Sequence, residues 1–186
     1  MSANPVSTTA GSQTVGPFFR IGLEYLIEQA PALRLDSPGV IGIRGRVLDG
    51  NGRPVPDAML EFWNPAAEMR CGSVAEPVGF PAGFRRAATN EEGRFSVVMQ
   101  RPAKAGFDRR QAPHLLVLVF ARGLLRHLMT RMYLGDEADN GNDPVVTGIP
   151  AERRATLIAR PDADSPGLYV WDVILQGTAE TVFFAW

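Results

Sequence analysis

Cysteine is almost missing: Cys71 is the only one in 186 residues, which excludes an internal disulfide and any multi-cysteine metal site. Histidine is nearly as scarce. His114 and His127 are the only two, too few for a histidine-rich metal centre. There is no excess of either charge, since the formal net charge is −1, and this argues against a dedicated binder of nucleic acid or anionic membrane. The longest apolar run, residues 115–121, falls far short of the ~20 residues that cross a bilayer. The N-terminal residues carry neither a basic stretch nor an apolar one, so no signal peptide is expected, and a reduced cytoplasmic setting is. Gly-x-Ser-x-Gly, P-loop, GxGxxG and His-Glu-x-x-His motifs are all missing.

What is present reads as a globular β protein. Apolar residues make up 45% and charged residues 21%, ordinary values for a chain that buries a core. Nineteen glycines and fifteen prolines suit strands and turns better than helices. Of the 19 basic residues only Lys104 is lysine. Arginine is favoured where contacts are planar and partly buried, as at interfaces; GC-rich coding explains the same bias equally well.

Alternation of period two marks the strands. Ile41, Ile43, Gly45 and Val47 alternate with Arg44 and Arg46, and the turn Asp49-Gly50-Asn51-Gly52 follows. Residues 58–63 put Leu60 and Phe62 on one face and Glu61 on the other. After the turn Asn90-Glu91-Glu92-Gly93, Phe95, Val97 and Met99 alternate. Residues 115–120 are apolar on both faces, the pattern of a central strand, and Leu128, Thr130, Met132 and Leu134 share a face of the next. Residues 169–176 and 181–184 read as a C-terminal pair, and Ile149-Pro150-Ala151-Glu152 opens a short helix. These elements predict an all-β, antiparallel β-sandwich with one or two short helices. Residues 1–36 read as an extended N-terminal arm and a short helical segment that contact a partner, and residues 37–186 as one sandwich domain. Two long excursions, residues 65–89 and 100–113, are expected to line a site or an interface.

Few residues offer chemistry of their own. Either histidine beside a strand reads best as a satisfied structural residue, because no nucleophile motif accompanies it. Cys71, in a loop next to Arg70, reads as an ordinary free thiol rather than an activated one.

The order of motifs resembles the intradiol ring-cleavage dioxygenases, and within them the alpha-chain type. Ser12-Gln13-Thr14-Val15-Gly16-Pro17-Phe18 is similar to the family's SQT-x-GP segment. Gly45-Arg46-Val47-Leu48-Asp49-Gly50-Asn51-Gly52 and then Leu60-Glu61-Phe62-Trp63 are similar to its strand–turn–strand ending in Trp. Residues 89–95 match a T-x-x-x-G-x-(F/W) hairpin. Ala112-Pro113-His114, followed by Val119-Phe120-Ala121-Arg122-Gly123, resembles the alpha-chain APH…FARG strand. Residues 130–134 and 180–184 match as well, so the resemblance spans nearly the whole chain.

The resemblance implies a catalytic chain that holds Fe(III) with two tyrosines and a His-x-His pair, whose spacing of two points both imidazoles to one side of a strand. Aligned on Pro113, that pair falls on Leu115 and Val117; shifted to use His114, the second position is Leu116. The first tyrosine falls on Cys71, and the loop around residues 105–110 contains Phe107 but no tyrosine. This chain is therefore expected to hold no metal and to join a homologous beta chain that binds the iron. By the same resemblance Thr14, Gly16, Pro17 and Arg122 border a small aromatic acid substrate in a cleft shared with that partner. Gly16-Pro17 would form a rigid wall without protruding side chains, and the Arg122 guanidinium would meet the substrate's anion or make an ion pair with the partner. Two rival readings remain at this point. One is a β-sandwich binding module that kept the fold and lost the chemistry. The other is an atypical metalloenzyme using Cys71, His114 and His127.

Overall fold

The computed structural model describes residues 22–23, 33–66, 83–104 and 110–185. The N-terminal motif with Thr14, Gly16 and Pro17, together with Cys71 and Phe107, lies outside the described residues. Among the described residues, nine strands carry the fold: β1 (Val40–Leu48), β2 (Met59–Trp63), β3 (Phe84–Ala88), β4 (Arg94–Gln100), β5 (His114–Phe120), β6 (Leu128–Leu134), β7 (Ile158–Pro161), β8 (Leu168–Val170) and β9 (Val173–Ile174). They pair in the order β3-β2-β5-β6-β7-β8-β1-β4, with β9 added on β1, and β4 comes back against β3 so that the path nearly closes. The chain is all-β, as its alternation predicts. Most pairs are antiparallel; β1–β8, β1–β9 and β6–β7 are parallel.

The core lies between the two halves of this path. Ile43 and Val47 of β1, Phe62 of β2, Val97 of β4, Leu115 and Val117 of β5 and Met132 of β6 pack in one cluster. Both turns foreseen in the sequence are built by their first side chain. Asp49 Oδ1 accepts from Asn51 N and Arg53 N at 2.8 Å each, and Gly52 takes φ +76°. Asn90 Oδ1 accepts from Glu92 N and Arg94 N, and Gly93 takes φ +67°.

Four elements differ from the sequence reading. The long excursion at residues 65–89 ends in a strand, β3, which places Arg85 on the core side beside Phe62 and thereby breaks the expected alternation. β7, a four-residue strand with Arg and Pro, gives no alternation to read. The expected strand over residues 169–176 is split at Trp171 and Asp172. Gly45 permits the split: a Cβ there would sit 1.7 Å from the Trp171 carbonyl oxygen, and on either side of this close approach β1 changes partner from β8 to β9. Over residues 181–184 there is a single bridge, Met129 to Phe184, in place of a strand; Thr130 Oγ1 pins the segment by donating to Val182 O at 2.7 Å.

Candidate functional site

β5 is central, between β2 and β6, and its two ends differ. Its last residues run into Ala121, Arg122 and Gly123, where Gly123 at φ +84° turns the chain towards β6. Arg122 is therefore held at the rim of the sheet. Its Nε lies 2.8 Å from Asp57 Oδ2, and its side chain stays 65% exposed. Asp57 is fixed from both sides, because buried Thr89 Oγ1 accepts from Ala58 N at 2.9 Å and donates to Val55 O at 2.8 Å. The pair uses only the inner nitrogen of the guanidinium. No described residue engages the outer nitrogens, the geometry by which arginine receives a carboxylate.

At the other end of β5, His114 is buried, and its Nδ1 donates to Ala112 O at 2.8 Å. Its ring stands 5.4 Å from that of Tyr133. Burial holds its pKa below the usual imidazole value, so it stays neutral near neutral pH. Tyr133 receives a bond from Arg131 Nη1 at 3.2 Å and donates to Asp143 Oδ1 at 3.4 Å. Burial pushes its phenol up to about 12, so it does not supply a phenolate. Asp143, fully buried, also accepts from Ala112 N at 2.7 Å, Val145 N at 2.7 Å and Val146 N at 3.1 Å. One carboxylate thus caps the short helix Pro144–Thr147 and anchors the entry to β5.

The described residues at these positions do not fit a metal. Leu115 and Val117 point into the closed core, opposite Met132 and Thr130, and carry no donor atom. Hard ferric iron takes oxygen and imidazole donors. Among the described residues no three His, Cys, Asp or Glu side chains converge. The described tyrosines, Tyr133 and Tyr169, are both committed to hydrogen-bond networks; Tyr169 Oη accepts from Arg101 Nη1 and donates to Asp136 Oδ2 at 2.8 Å. His114 and His127 cannot share an ion. They sit at opposite ends of the β5–β6 hairpin, about 20 Å apart at ~3.3 Å per strand residue. That removes the reading of an atypical metal site built on both histidines.

Of the sequence-predicted site residues, the described structure contains Arg122 alone. Asp57, its anchor, was not foreseen: the two are 65 positions apart, and no local pattern links them. Asp143 could have been found, since Asp before Pro144 is a helix-start signal.

The dioxygenase family model matches residues 28–177. The protocatechuate 3,4-dioxygenase alpha chain of Burkholderia cepacia is 41% identical over 190 residues, covering 93% of this chain and 95% of that protein. The beta chain from the same organism is 26% identical over 155 residues, covering 76% of this chain and 66% of that protein. Among solved structures, the dioxygenase domain of a dioxygenase–carbohydrate-binding protein fusion from Streptomyces sp. SirexAA-E superposes with a TM-score of 0.56 at 22% identity, covering 78% of this chain and 86% of that one.

Proposed function

The chain belongs to the intradiol dioxygenase family, and we propose that it is the alpha subunit of a protocatechuate 3,4-dioxygenase whose iron is held by a beta chain. The enzyme opens the ring of 3,4-dihydroxybenzoate between its hydroxylated carbons. Both atoms of O2 enter the product, 3-carboxy-cis,cis-muconate. The observation that carries the division of labour is the pair Leu115 and Val117. The family resemblance puts the iron-holding His-x-His there, and both residues are aliphatic and sealed in the core. No step on this chain runs through iron.

What this chain contributes is the border of the cleft. Thr14, Gly16 and Pro17 form one wall by resemblance to the family's arm, and Arg122 offers its outer guanidinium nitrogens to the substrate carboxylate. Its ion pair with Asp57 supports that role, because the carboxylate draws the guanidinium to the rim and so lowers the freedom it loses on binding. A cytoplasmic location suits the assembly. The described helices include none long and apolar enough to cross a membrane.

Expression with and without the beta chain tests this reading. The pair should contain stoichiometric iron and consume O2 with 3,4-dihydroxybenzoate. This chain alone should do neither. Stoichiometric iron in the chain purified alone would sink it.

A further inference from the structure

On the face of the sheet away from the core, the strand register assembles a basic groove. Arg160 of β7 pairs with Val170 of β8, Val170 with Arg44 of β1, and Arg44 with Ser96 of β4. Two residues along β1, on the same face, Arg46 lies directly opposite Arg94. Like charges opposite each other on antiparallel strands repel, so this pair calls for an anion. Part of that demand is met within the chain. Arg46 Nη2 donates to Asp172 Oδ2 at 2.9 Å, and Arg44 is paired with Asp162. Arg94 and Arg160 are exposed and meet no acidic partner among the described residues. Four guanidinium groups against two carboxylates leave two positive charges uncompensated.

These arginines line a groove of about 720 Å³, within the usual range for small-molecule sites. A neighbouring hollow of about 460 Å³ shares Arg160, Val170 and Asp172, whose carboxylate is held by Arg46, and adds an apolar wall that includes Ile158. The two uncompensated arginines stand on β7 and β4, three strand spacings apart and two residues out of register, or roughly 16 Å at the backbone. A compact anion such as sulfate reaches only one end of such a groove. A ligand with carboxylates at both ends and a hydrocarbon middle satisfies both arginines and lays its middle over Val170.

We infer that this groove binds small organic dicarboxylates or tricarboxylates. The inference rests on the arginine rows alone and stands whether or not the dioxygenase reading does. Calorimetric titration of the full chain, in complex with its beta partner where one forms, tests it at fixed ionic strength with adipate, butanoate and sulfate as probes. Adipate should bind saturably, and butanoate and sulfate at least about tenfold more weakly. Arg94→Gln and Arg160→Gln should each weaken adipate at least about tenfold, the loss expected for one charge-assisted contact. Both side chains are exposed, so thermal midpoints should stay near wild type. Arg94→Lys, which keeps the charge without the fork, should recover only part of the affinity. Adipate binding no tighter than sulfate would overturn the inference. So would wild-type adipate affinity in both glutamine variants, or variants that change only the size of the assembly.

Discussion

The two ends of the β5–β6 hairpin are built from the same kinds of residue and behave in opposite ways. At the His114 end an imidazole, a phenol, a guanidinium and a carboxylate are turned inward and bonded to one another and to the backbone. At the Arg122 end a guanidinium and a carboxylate meet at the rim with most of the arginine in solvent. Polar chemistry that satisfies itself internally holds a fold together. Polar chemistry left half-satisfied at a rim is available to a ligand. The chain places reactive residue types at both ends and leaves only one of them open.

The comparison breaks most sharply at Asp143. Asp143→Ala leaves three backbone N–H groups and the Tyr133 hydroxyl without their acceptor, and three of these four groups are buried. A loss of roughly 3–5 kcal/mol is expected, seen as a melting temperature lower by roughly 6–20 °C. A change under 2 °C would show that the sealed end is not the structural one.

Arg122→Ala probes the open end. It should leave the melting temperature nearly unchanged and lower kcat/KM of the assembled complex by about ten- to a hundredfold, the effect of one charge-assisted contact. Lysine should restore only part of it, for want of the planar fork. Unchanged kinetics in a complex of normal iron content would remove Arg122 from the cleft. Asp57→Ala should act in the same direction and more weakly, by a few-fold, because the arginine of the pair is largely in solvent and such pairs contribute only ~0.2–1 kcal/mol.

The smallest effect is a pH slope. His114 has a folded-state pKa below its ordinary value because it is buried, so the unfolded chain binds the extra proton first. Stability is then full above about pH 6.5 and falls as pH drops below that value. Urea midpoints between pH 7.5 and 5 should show this decline, and His114→Gln should flatten it. An equal slope in the variant would assign the effect to another group.

Much of this was legible from the residues. The alternation around Ile43, Phe62 and Val97 and the Asx turns at Asp49 and Asn90 are local signals, and they give most of the strands and hairpins. The strand β3 was hidden because Arg85 faces inward, against the polarity its type predicts. The break between β8 and β9 was hidden because what permits it, the missing Cβ of Gly45, lies about 125 residues upstream. Arg122 could be picked out by family likeness, whereas Asp57 and the arginine rows could not. They exist only once β1, β4, β7 and β8 lie side by side.

The pairing of β1 also bears on when the molecule can become whole. One edge of β1 is met early by β4; the other waits for β8 and β9, with Val47 pairing to Val173. At ~5–20 residues per second, a ribosome delivers that last strand roughly 6–25 s after β1. Through this interval the nascent chain carries a strand edge with unpaired N–H and C=O groups, the feature that invites mispairing between chains. A surface that needs both edges of β1 can therefore form only after Val173 has been made, and a chain cut short before Val173 would keep that edge exposed for its lifetime.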